Sequence, residues 1–149
     1  MNGDGYLLDT NAIVQLLKGN KELIAVLGAA DFIATSIVAE MEYLSFSGLS
    51  DSDVALYQAF RERIQVYDVP SADTAFTQLV VKARKEHGLK LPDAIIAGTA
   101  IANSLTLLTT DDHFKKPKAP WQVRFFAADP DIWPWMQASE SVIREGASA

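Results

Sequence analysis

Five short apolar runs recur along the chain: "YLL", "DFIATS", "IQVYDV", "LTLLTT" and "WQVRFFA". Runs this short, bounded by turn residues and rich in branched and aromatic side chains, read as strands, the first of them buried. Segments of helical periodicity lie between most of them. Alternation of that kind predicts an α/β domain with a central, mainly parallel β-sheet flanked by helices. In such sheets the functional crevice lies beyond the carboxyl ends of the strands. Three of the runs end on short polar residues, at Asp9, at Ser36 and at Asp111, so these ends are where chemistry is expected.

The intervening helices carry their own start and stop signals. "NAIVQLLKG" places Ile13, Leu16 and Leu17 on one face and stops at Gly19, and "NKELIAVLG" stops at Gly28. "IVAEMEYLSF" follows the second strand, and "SDSDVALYQAFRERI" opens with a cluster of Ser and Asp caps. In "SADTAFTQLVVKARKEHG", Ser71 is the expected N-cap and Gly88 the stop. "LPDAIIAGTAIANS" is expected to begin a helix with Pro92 at its first position. "DDHFKKPKAP" reads as a loop, and the tail after residue 126, which contains Trp133 and Trp135, as a C-terminal extension.

A chain of 149 residues is expected to form one domain, residues 1–149, and its 49% hydrophobic content is enough for an ordinary core. The absence of cysteine excludes disulfides and thiolate metal sites. No apolar stretch is long enough to span a bilayer, and "MNGDGYLLD" lacks the pattern of a signal peptide. A cytoplasmic protein with no membrane partner is the expectation. The net charge of −6 opposes a nucleic-acid reading, but the charge is unevenly spread. Residues 1–79 carry 4 basic and 11 acidic side chains, whereas residues 80–124 carry 8 basic and 4 acidic ones.

Asp9 follows the first strand, Asp111 and Asp112 follow the fourth, and Asp93 opens the helix leading into the fourth. Glu40 and Glu42 lie on the helix after the second strand. Each acid alone has a plain structural reading as a cap, a dipole partner, a turn residue or a solvated side chain. Several of them, however, project from one edge of the sheet. Gathered carboxylates repel one another unless a hard divalent cation neutralises them. Such an ion polarises phosphates and acidifies water, so the pattern suggests metal-assisted phosphoryl or phosphodiester hydrolysis. Two histidines, His87 and His113, and no HExxH leave little basis for a zinc hydrolase. Neither GxSxG, a P-loop nor GxGxxG is present.

"YLLDTN", "TSIVAEMEYLS", "LPDAIIAGTAI" and "LLTTDDHF" occur in the order found in PIN-domain ribonucleases. Over residues 6–126 the chain resembles, more narrowly, a VapC-type toxin of a toxin–antitoxin pair. The resemblance implies a parallel sheet flanked by helices and Mg²⁺- or Mn²⁺-dependent cleavage of single-stranded RNA. It also implies a cognate antitoxin and a homodimer. Carried over residue by residue, the site acids are Asp9, Asp93 and Asp111, with Thr109 and Phe114 in the segment around the last. The glutamate falls at Glu42 by spacing from Ser36, with Glu40 as its competitor, and Asp112 reads as a loop acid. Thr10, Asn11, Ser36 and Thr109 stand near strand ends, where they can orient acids or water. Lys82, Arg84, Lys85, Lys115 and Lys116 are candidates for steering the RNA backbone.

Two alternatives belong to other classes. A haloacid-dehalogenase-like phosphatase also uses an aspartate after the first strand, but it expects a second one two residues on, where this chain has Asn11. A non-catalytic RNA- or antitoxin-binding module would keep the fold without turnover.

Overall fold

The computed structural model describes residues 5–132. The tail with Trp133 and Trp135 therefore lies outside the described residues. Five strands form one wholly parallel sheet: β1 (Gly5–Leu8), β2 (Phe32–Ser36), β3 (Gln65–Tyr67), β4 (Thr106–Thr109) and β5 (Gln122–Phe125). Six helices connect them: α1 (Thr10–Leu17), α2 (Lys21–Gly28), α3 (Ile37–Leu44), α4 (Asp51–Arg61), α5 (Thr74–His87) and α6 (Leu91–Ala102).

The strand order is β3-β2-β1-β4-β5. From β1 the chain steps outward through β2 to β3, then crosses back to lay β4 on the other side of β1. The direction of winding thus reverses between β1 and β4, and this is the switch point where open parallel sheets place their crevice. Leu7 and Leu8 pair in register with Leu107 and Leu108, and all four are inaccessible to solvent. Two central strands buried on both faces explain why their sequences are continuous apolar runs rather than alternating ones.

Local chemistry sets the helix ends. Asn20 caps α2, and Ser50 with Asp53 forms a reciprocal capping box on α4. Two expected boundaries move. The N-cap of α5 is Asp73, not Ser71, because the Asp73 carboxylate accepts from the Phe76 amide while residues 70–73 form a turn closed by Asp73 N–H on the Pro70 carbonyl. Pro92 takes the second helical position, since Leu91 already occupies the first. Within the expected loop 111–120, residues Asp112–Phe114 form a short 3₁₀ turn.

Helices α5 and α6 pack as an antiparallel pair. Gly98 makes this possible: a Cβ there would sit 3.1 Å from Val80 Cγ2. Gly88 ends α5 in the left-handed region, φ 69°, which lets the chain turn at once into α6. Beyond β5 the chain returns over α1 and α2. The buried Gln15 side chain accepts from the Asp129 amide, and Asn20 donates to both Gln15 and the Ala127 carbonyl.

Candidate active site

Asp9 leaves β1 at the switch point and is almost fully buried. Its Oδ1 caps α1 by accepting from the Ala12 amide at 2.8 Å. Its Oδ2 accepts from the Thr109 hydroxyl at the end of β4. The Thr109 oxygen in turn accepts from the Asp111 amide at 2.9 Å. One hydroxyl thus ties the first strand's acid to the turn that carries the second. Asp9 is a helix cap, as its plain reading held, and it also faces the crevice. Ionised carboxylates have about four acceptor positions, so two hydrogen bonds do not exhaust it.

Asp9, Glu42, Asp93 and Asp111 all line one open cleft of about 830 Å³. Glu42 comes from α3 and is held by the Thr10 hydroxyl, which donates to its Oε1 at 2.8 Å. Asp93 stands in the first turn of α6. Asp111 Oδ1 accepts from both the His113 backbone amide (2.9 Å) and the His113 ring Nδ1 (2.8 Å), which leaves Oδ2 free of both. Val38, Met41 and Phe46 make its α3 side apolar, and Lys90 and His113 bring positive or protonatable groups to its lining.

Glu40 lies elsewhere. It is buried between α3 and α4, where its Oε1 accepts from the Tyr57 hydroxyl at 2.9 Å and from Arg61 Nε. Burial, and then the adjacent Glu40, push the Tyr57 phenol well above its ordinary range. The residue is an interhelical tie. Ser36 caps α3, Asn11 lines the cleft and Asp112 belongs to the 3₁₀ turn. None of Lys82, Arg84, Lys85, Lys115 and Lys116 lines the cleft. Lys90, which does, was missed by sequence reasoning, although its place three residues before Asp93 was a usable signal. His113 is exposed, yet bonded to Asp111.

The electrostatics match a gathered acid set. Burial pushes the Asp9 carboxyl up to about 7 against the pull of its Thr109 and Ala12 hydrogen bonds, and Asp111 and Asp93 add to the rise. Burial also raises Asp93 to about 6, with Asp111 and Glu42 adding to the shift and His113 and Lys90 opposing it. Among the described residues, no three acidic or histidine side chains converge tightly enough to clasp an ion by themselves. The donor set lining the cleft is all carboxylate oxygen, the kind that hard divalent cations take. No helix among the described residues is long and apolar enough to cross a membrane.

Compared with known protein families, residues 6–120 match the PIN domain. Among solved structures the chain is similar to a toxin–antitoxin complex from Klebsiella pneumoniae, at 26% identity and a TM-score of 0.61, covering 79% of this chain and 99% of that one. It is similar to FitAcB from Neisseria gonorrhoeae, at 26% identity and a TM-score of 0.56, covering 79% and 95%. It also shares its fold with VapBC2 from Rickettsia felis, solved bound to a promoter DNA fragment, at 22% identity and a TM-score of 0.65, covering 82% and 98%. No curated protein gives a significant match.

Proposed function

Because the chain belongs to the PIN domain family, a family of nucleases, we propose that it is a metal-dependent endoribonuclease cleaving single-stranded RNA, and the toxin of a type II toxin–antitoxin pair. The observation that carries the reading is the convergence of Asp9, Glu42, Asp93 and Asp111 on one cleft at the sheet's switch point. The likeness to the Klebsiella pneumoniae toxin–antitoxin complex supports the pairing with a cognate antitoxin.

In this reading Asp9, Glu42, Asp93 and Asp111 are the residues that would hold Mg²⁺ or Mn²⁺. A bound ion supplies Lewis-acid polarisation of the scissile phosphate and a more acidic water. The chain's own groups supply position. Ala12 N–H and Thr109 fix Asp9, Thr10 fixes Glu42, and the His113 amide and ring fix Asp111. Lys90 offsets the negative charge that the acids present to an incoming phosphate.

The test uses purified full chain and single-stranded RNA with Mg²⁺ or Mn²⁺. Cleavage is expected for the wild type and lost in Asp9→Asn and Asp93→Asn, with far-UV circular dichroism unchanged. Absence of cleavage across varied RNAs with either ion would overturn the reading. Expression is expected to arrest growth, and Asp9→Asn to relieve the arrest. The same reading includes a homodimer, which sedimentation of the purified chain tests.

A further inference from the structure

The cleft is bordered on one side by cations that the overall charge conceals. Two seven-residue segments, 84–90 and 112–118, contain six of the chain's 13 basic residues but only two of its 19 acids, Glu86 and Asp112. They are far apart in sequence, and the fold brings them together. The His87 ring meets Trp121 edge-on, with centroids 5.2 Å apart, and Trp121 meets Phe114 in the same way at 6.5 Å. The Trp121 indole N–H donates to the Phe114 carbonyl at 3.0 Å and closes the intervening loop. Both segments also reach the cleft itself, through Lys90 and His113.

Helical geometry sorts the basic residues of α5. Arg84 stands one turn before His87, on the face turned toward Trp121, whereas Lys85 lies across the helix from it. Glu86 is 3.9 Å from Lys82 and so has a local cation of its own. Arg84, Lys90, Lys115, Lys116 and Lys118 thus stand on two segments that the His87–Trp121–Phe114 contacts join and that reach the cleft at Lys90 and His113. The α3 side of the cleft is apolar, with Met41 53% exposed. A surface with cations on one side and apolar groups on the other matches an unpaired strand, whose phosphates and bases separate in the same way.

Building on the nuclease reading, we infer that the ridge formed by Arg84, Lys90, Lys115, Lys116 and Lys118 holds the sugar–phosphate backbone of single-stranded RNA beside the cleft. An acidic protein segment is the competing occupant, and the experiment separates the two.

The experiment compares wild type with Arg84→Gln/Lys115→Gln/Lys116→Gln, three exposed or half-buried positions outside the cleft. The probe is a fluorescein-labelled single-stranded RNA of about 20 nucleotides, longer than typical single-strand site sizes. Binding is read by anisotropy in chelator, and cleavage in Mg²⁺ or Mn²⁺. Each phosphate contact contributes about −0.7 to the slope of log affinity against log salt, so losing three is expected to flatten the slope by about 2. Affinity at about 0.1 M salt should fall at least about tenfold, KM should rise and kcat should stay near wild type. Lys115→Arg/Lys116→Arg should retain affinity, and Arg63→Gln, beside β3 at the far edge of the sheet, should leave the slope unchanged. An unchanged slope and KM in the triple variant, with cleavage intact, would overturn the ridge and leave the nuclease standing. Binding that depends on the ridge without any cleavage would overturn the nuclease and keep the ridge. A triple variant that binds RNA normally but no longer captures a co-expressed antitoxin would assign the ridge to protein instead.

Discussion

Removing the charge of Asp9 should stabilise the metal-free protein while abolishing its activity. Asp9 is buried, and its carboxyl is raised from 3.8 to about 7. A raised folded-state value means that the ionised form is worse accommodated in the fold than in the unfolded chain. Its cost is small below pH 4 and grows until the pH passes 7. Linkage gives less than about 1 kcal/mol at pH 4 and about 4 kcal/mol at pH 8, as an upper bound before any local relaxation. Asparagine mimics the protonated acid: its oxygen can keep the Ala12 amide, and its NH₂ can face Thr109. The assay is urea unfolding in chelator, comparing Asp9→Asn with wild type at several pH values and checking that the denaturant slope is unchanged. The variant's advantage should widen steadily from pH 4 to pH 8. Added Mg²⁺ should then narrow the gap by stabilising the wild type alone. A variant no more stable than wild type at pH 8, or an advantage independent of pH, would refute the argument that Asp9 is held against its own solvation.

Three further outcomes separate structural from chemical roles. Glu42→Gln should abolish cleavage with little change in stability, whereas Glu40→Ala should cost about 2 kcal/mol in urea unfolding by stranding the buried Tyr57 hydroxyl. Thr109→Val should lower kcat at least about tenfold and destabilise the fold by about 1–3 kcal/mol, with Thr109→Ser restoring most of both, because the hydroxyl serves Asp9 and the Asp111 amide together. Thr10→Val, which loses the hydrogen bond to Glu42, should lower kcat more than it changes the midpoint of unfolding.

The strands were readable because a sheet buried on both faces demands continuous apolar runs, and "YLL" and "LTLLTT" have no other way to be satisfied. Reading the acids needed topology as well. Asp9 and Asp111 gain meaning only when β1 and β4 are neighbours, a pairing that the α/β alternation alone does not specify. Glu40 and Glu42 could not be separated on one helix by periodicity. What separates them in the fold is α4, which brings Tyr57 and Arg61 onto Glu40 from 17 and 21 residues away. The Thr10–Glu42 bond was equally hidden, since a threonine opening a helix has an ordinary local explanation. Ser71 lost the α5 cap to Asp73 because the turn after Pro70 occupies the residues between, a contest that residue preferences alone do not rank.

The bond between Asp9 and Thr109 spans 100 positions of the chain. During synthesis, the N-terminal half emerges with its first acid but without the strand that completes the site. At about 5–20 residues per second, that separation amounts to roughly 5–20 s of translation, before any time in the exit tunnel. On the proposed reading, a nascent chain therefore carries no complete acid site until Thr109 and Asp111 have been made.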